Sequence, residues 1–399
     1  MNLPGAHRLR EIRIGLSVSL SGMYSRQGKQ GLRGLELWVR DVNHAGGLLV
    51  PSWGQRVPLR LVVYDDLSRA ESAKRNVEQL IGADRADVLF GPYSSGLTMA
   101  VAPLVAASDK LLWNHGGTSD ALFRQGWRHL ISVASPASDY FRALPSLLAS
   151  HRPGLRRLSL LHDRRGTFAA NVVSGLVESC TEREILLSPF PFESPLRLAS
   201  DLVAEALARE PGGLVVVGRY QDDVEVVAAC ADSLRPPKFV AAVAAGLNAF
   251  GRELGPLAEG VVGASQWEPE RTVESVTGPA PEEFVAAFHK AFGEEPEYPA
   301  AQAYAMGIIL DKCVEEAGNL DDARLCAAAL DLETTTLFGR FRLNQATGRQ
   351  VGHHGLLVQW VGGEKRVLWP PPDAETPLRE FAPVKEDSDE EMDSDLTIA

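Results

Sequence analysis

Apolar residues recur in two alternating rhythms. Short, near-continuous apolar runs are separated by stretches in which apolar positions return every three or four residues. The first run covers 12–20, and helical spacing follows over 32–45 through Leu32, Leu35, Val39 and Val42. A second strand is expected at 59–64. Ser68 and Glu71 form an S-x-x-E pattern that predicts a capped helix reaching about Ile81. Strands over 87–91, 111–114 and 129–133, with a helix over 95–108, complete the first half. After Pro136 the rhythm restarts: helices at 139–150, 168–180, 202–209 and 222–234 alternate with strands at 158–162, 214–218, 239–243 and 261–266. Three helices follow, at 281–292, 300–317 and 321–330. The end reads as antiparallel, with strands 338–343, 354–360 and 366–369 around turns at 345–348 and Gly362-Gly363.

Buried parallel strands alternating with helices imply an α/β fold with helices on both faces of each sheet. The restart implies two doubly wound lobes joined by a hinge of several strands. The expected division is 12–134 with 268–336 for the first lobe and 135–267 with 337–372 for the second, followed by an acidic disordered tail at 373–399. At 399 residues, two cores are the expected arrangement.

Charge narrows the partners. The net charge is -12, and residues 373–399 carry ten acids and two bases, so most of the excess lies in that tail. No basic face is implied, so no nucleic-acid partner is expected. No run of about 18 apolar residues appears, so direct membrane insertion is not expected either. Residues 1–13 hold no signal-like apolar segment and are too short for a helix-turn-helix. As written the chain reads as cytoplasmic, or as periplasmic or cell-surface if a signal has been removed. Cys180, Cys230, Cys313 and Cys326 are too widely spaced for a zinc motif and read as buried thiols. His353-His354 would point to opposite faces of a strand. No cofactor motif and no nucleophile–base pair is evident, so neither a cofactor nor enzymatic activity is expected.

In doubly wound sheets, ligands bind beyond the carboxyl ends of the strands, which makes those loops the place for function. The first, 19–34, carries Ser21, Tyr24, Gln27 and glycines at 28, 31 and 34. Its G-x-x-G-x-x-G is not a dinucleotide fingerprint, and Asp65 and Asp66 read as turn and capping residues. The second is Gly91-Pro92-Tyr93-Ser94-Ser95-Gly96, where two hydroxyls meet a helix N-terminus suited to a carboxylate or amide oxygen. A helix cap would also account for either serine. The third, Asn114-His115-Gly116-Gly117-Thr118, combines close backbone approach with a further hydroxyl.

The order Leu20-Ser21-Gly22, Asp41-Val42-Asn43, Gly46-Gly47, Tyr64-Asp65-Asp66, Gly91-Pro92-Tyr93-Ser94-Ser95, Val101-Ala102-Pro103-Leu104, Gly116-Gly117-Thr118, Tyr304-Ala305 and the late Gly-x-Phe-x at Gly339 resembles the type I periplasmic binding proteins of the branched-chain amino acid and amide-binding branch. The resemblance covers 12–369 and implies a small ligand held between the lobes and delivered to the membrane subunits of an ABC importer. A cytosolic sensor of the same fold, acting on a regulatory partner, is the alternative. The resemblance implies ligand contacts from Tyr93, Ser95, Gly116 and Thr118 in the first lobe, with Ser94 and Gly117 as further candidates in the same loops, and closure from the second lobe by Tyr220 and by Phe168, next to Thr167 at the family's aromatic position. By register, Gln27 stands where amino-acid binders carry a first-loop tyrosine. Val243 stands where they carry the acid that meets an α-ammonium, which leaves amides and carboxylic acids open as ligands.

Overall fold

The computed structural model describes residues 11–384, except Thr272 and Glu375. Residues 385–399 of the expected disordered tail lie outside the described residues, but its start is not disordered: Leu378 and Phe381 are buried in the second lobe's core and the Phe381 N–H donates to the Lys238 carbonyl at 2.9 Å. Two main sheets organise the chain. The first has five parallel strands in the order Leu59–Asp65, Ile12–Val18, Val88–Phe90, Leu112–Asn114, Leu130–Ser132. The second has seven, in the order Glu364–Trp369, Leu356–Val361, Val262–Ser265, Val240–Ala242, Gly213–Val217, Arg157–Asp163, Leu186–Phe192. Leu356–Val361 pairs antiparallel with both of its neighbours, and the other five strands pair with one another in parallel. Helices cover both faces, so each sheet has its own core: Ile14, Leu16 and Phe90 in the first, Leu160, Val215 and Val216 in the second. This is the doubly wound two-lobed α/β arrangement that the alternating pattern implies.

Four local expectations are corrected. Residues 25–34 are not a loop: the helix runs Ser25–His44, and Gly28, Gly31 and Gly34 form a buried stripe along it. A Cβ on Gly34 would lie 2.2 Å from the Ala300 carbonyl, and one on Gly28 would lie 2.0 Å from that of Ser19. The stripe lets the helix pack closely against Tyr298–Ala317. Second, Ser68 does not cap the next helix, which starts at Ala70 with no side-chain cap. Its hydroxyl donates to the Ser21 carbonyl (2.7 Å) and accepts from the Tyr24 N–H (3.1 Å), bracing the first loop. Third, Leu186–Phe192 is a strand despite Pro189 and Pro191; it lies at a sheet edge, where a missing N–H costs no ladder bond. Fourth, Gly339–Phe341 pairs with Thr334–Thr336 instead of joining the terminal hairpin, and Phe338 and Phe341 pack in the core of the first sheet. A bridge between Leu343 and Gln350 and the Gln350 side chain, which bonds to the Arg342 N–H and the Arg340 carbonyl, link it onward.

The chain crosses between the sheets three times, and side chains stitch the crossings together. The Ser135 N–H donates to Gln266 Oε1 at 3.0 Å, and Gln266 Nε2 donates to the Ser135 carbonyl at 3.3 Å. Ser135 Oγ lies 2.6 Å from His353 Nδ1 and also donates to the His353 carbonyl. The His353 ring is buried and stacks on Phe338 with centroids 4.4 Å apart; burial holds it well below the ordinary histidine range.

Candidate ligand-binding cleft

The loops that follow the first sheet's strands face the second sheet across a cleft. Asp65 and Asp66 hold the first of them: Asp65 accepts from Leu20 N–H and Ser21 Oγ, and Asp66 accepts from Ser19 Oγ at 2.6 Å. In the second loop the two serines divide their roles. Ser94 caps the helix Ser95–Ala106, its Oγ accepting from the Leu97 N–H. Ser95 is 5% exposed, and its Oγ accepts from the N–H groups of Thr118 (3.1 Å) and Ser119 (2.9 Å). Both lone pairs of that hydroxyl are then occupied, so it meets any further partner as a donor.

The third loop is held by Asn114, which donates to the Gly117 carbonyl and accepts from its N–H. Gly116 sits against Tyr93, where an added Cβ would come within 2.7 Å of the Tyr93 Cα. His115 is buried beside Gly31, and burial pushes its pKa down to about 4. Ser119 Oγ donates to Asn171 Oδ1 across the cleft at 2.7 Å.

Two tyrosines that sequence reasoning missed join this site. Tyr298, 8% exposed in the first turn of Tyr298–Ala317, shares a hydrogen bond of 3.0 Å with the Tyr93 hydroxyl. Tyr140, 7% exposed, brings its hydroxyl within reach of Thr118, Gln266 and Tyr298. Phe168 meets Tyr140 edge-on at 5.2 Å, and Tyr24 lies 6.4 Å from Tyr93. Burial raises the pKa of Tyr93, Tyr140 and Tyr298, so all three are neutral hydroxyls. Neither missed residue follows a strand. Tyr140 comes just after a crossing and Tyr298 opens a distant helix, so strand-end logic had no signal for them.

Tyr220 and Gln27 lie further out. The Tyr220 hydroxyl accepts from Arg26 Nη1 (2.9 Å) and donates to Glu253 Oε2 (2.8 Å), with the Arg26 guanidinium 4.8 Å over its ring. Glu297 adds a second bridge, accepting from the Asn248 N–H and pairing with Arg252 at 3.5 Å. Gln27 lines a cavity of about 280 Å³ at this mouth, with Leu247, Ala249 and Pro299, and its Oε1 is buried without a hydrogen-bond partner. A larger groove, about 520 Å³, runs past Pro269, Val285 and His289 and includes none of these loops.

Among the described residues no helix is long and apolar enough to cross a membrane, and no cluster of His, Cys, Asp and Glu could hold a metal ion. The sequence profile of the periplasmic binding proteins matches residues 11–365, almost the whole described chain. The chain belongs to the periplasmic binding protein family. Its two α/β lobes have the type I fold of that family. Among curated relatives, it is similar to Leu/Ile/Val-binding protein homolog 8 of Brucella abortus, at 26% identity over 37% of this chain and 35% of the relative. The chain thus spans about a third of the length of the first curated relatives it matches. Two solved structures share the periplasmic binding protein fold nearly end to end. One is the branched-chain amino acid transporter substrate-binding protein of Streptococcus pneumoniae in complex with isoleucine, with TM-score 0.76 and 19% identity over 90% of this chain and 100% of that one. The other is an R. palustris solute-binding protein in complex with benzoate, with TM-score 0.73 and 21% identity over 95% and 98%.

Proposed function

We propose that this periplasmic binding protein is the solute receptor of an ABC importer. It takes a small polar ligand into the interlobe cleft, closes by rotation about the three crossings, and presents the closed form to the importer's membrane subunits. The observation that carries the reading is Ser95: its lone pairs are occupied by the Thr118 and Ser119 N–H groups, so its proton is available to a ligand oxygen at a helix N-terminus. Thr118, Tyr93, Tyr140 and Tyr298 offer further hydroxyls around it. Such a set receives a carboxylate or amide oxygen, and isoleucine and benzoate, bound by the two similar proteins, both carry a carboxylate. Phe168 packs beside these hydroxyls, while Tyr220 and Gln27 act at the mouth.

Ligand binding stabilises only the folded state, so a ligand at a hundred times its Kd adds roughly 2.7 kcal/mol. A thermal-shift screen over amino acids, amides, urea and carboxylates is expected to yield at least one ligand that raises the Tm. A melting curve unmoved by every compound would defeat the receptor reading.

A further inference from the structure

The charges and rings around Ser95 narrow the ligand further, on the assumption that the cleft is a ligand site. An α-amino acid brings an ammonium that needs a carboxylate when buried. Val243 offers none, and the acids at the strand ends already hold partners, although one oxygen of Asp66 is buried without one. Asp120 accepts from the N–H and hydroxyl of Ser138. Asp163 accepts from the N–H groups of Arg165 and Ser194, and Asp222 from those of Leu196 and Arg219. Asp223 is fully buried, with its two oxygens held by the Gly218 and Ala244 N–H groups. Two acids adjoin the hydroxyl cluster in sequence: Glu297, beside Tyr298, carries both Arg252 and the Asn248 N–H, and Asp139, beside Tyr140, pairs with Arg349 at 3.8 Å.

What surrounds Ser95 instead is a run of rings. Tyr24, Tyr93, Tyr298, Tyr140 and Phe168 follow one another from the first lobe to the second: Tyr24 lies 6.4 Å from Tyr93, Tyr93 bonds to Tyr298, the Tyr140 hydroxyl lies within reach of Tyr298, and Phe168 meets Tyr140 edge-on. Aromatic walls favour a planar body that can stack or meet them edge-on. The neutral hydroxyls and the N-terminus of the twelve-residue Ser95–Ala106 helix favour an anionic head. We propose that the ligand is an aromatic monocarboxylate with no α-ammonium group, its carboxylate received by Ser95 and Thr118 and its ring held among Tyr93, Tyr140, Phe168 and Tyr298.

Calorimetric titration of the whole chain tests this with matched pairs. These are phenylacetate against L-phenylglycine, 3-phenylpropionate against L-phenylalanine, and 4-methylpentanoate against L-leucine, with 3-phenylpropionamide and benzoate alongside. The expected result is that the best aromatic acid binds at least tenfold tighter than its amino acid and tighter than 4-methylpentanoate. An amino acid that binds tenfold tighter than its deaminated partner overturns the proposal, and loss of that advantage in Glu297→Gln would identify the missing counter-charge. An amide tighter than its acid overturns the anionic head, and a preference for 4-methylpentanoate overturns the aromatic body. Each of those results leaves the receptor reading standing. That reading fails separately, if nothing in the wider thermal-shift screen binds.

Discussion

Ser94 and Ser95 are adjacent hydroxyls with different partners, and substitution separates them. Ser94→Ala removes a helix cap and is expected to lower stability by about 1 kcal/mol with ligand affinity unchanged. Ser95→Ala leaves two buried N–H groups without an acceptor and takes a donor from the ligand, so stability and affinity should both fall, affinity by about 1–3 kcal/mol. Urea unfolding and titration on the same two proteins check this; equal affinities for the two variants would place the ligand elsewhere. His115 sets a pH limit. Burial holds it at about 4 in the fold, against an ordinary 6.5, so the unfolded chain takes up a proton first as the solution is acidified. Stability attributable to the neutral ring is therefore complete above about pH 6.5 and is lost as pH falls towards 4, at up to roughly 1.4 kcal/mol per pH unit. Comparing melting curves of the parent and His115→Gln from pH 7 to 4 should show their stability difference moving in the variant's favour on acidification. The candidate serines and Thr118 were legible from strand-end position together with the family resemblance. Tyr140 and Tyr298 were not, because only the fold brings a crossing and a distant helix to the same point.

At the level of elements, the pattern of apolar runs located most strands, since buried parallel strands have few polar interruptions to blur them. It failed where a residue's usual meaning was reversed by its neighbours. Three glycines at a spacing of three read as a loop, yet they lie on one face of Ser25–His44 and permit close helix packing. Two prolines concealed an edge strand, and a serine with the spacing of a cap was drawn away to the first loop. The glycine stripe gives a contrasting pair of predictions. Gly34→Ala forces a methyl to within 2.2 Å of the Ala300 carbonyl and should destabilise the protein by about 1–3 kcal/mol or more. Gly96→Ala, in a helix with nothing within 4 Å of the added carbon, should be neutral or stabilise by up to about 1 kcal/mol. Chemical denaturation of both variants distinguishes a packing stripe from a flexible loop, for which the two would behave alike.

For the whole molecule, the repetition of the α/β rhythm was enough to imply two lobes, while the bonds joining them were invisible in sequence. Ser135, Gln266 and His353 come from three separate crossings and meet only in the folded protein. Arg26, Tyr220 and Glu253, with Glu297 and Arg252, bridge the lobes at the mouth of the cleft. The Arg26–Glu253 pair is solvent-exposed and worth little by itself, whereas Glu297 is largely buried beneath Arg252. The closure proposed above would be a rotation of the lobes about the three crossings, the hinge kind of domain motion. The central claim, that the lobes close on a ligand held at Ser95 and Thr118, is tested most directly by small-angle scattering with and without a saturating ligand from the thermal-shift screen. The radius of gyration should fall on binding in the parent protein, with Ser95→Ala needing more ligand to reach the same compact state. An identical scattering profile with ligand bound would contradict closure.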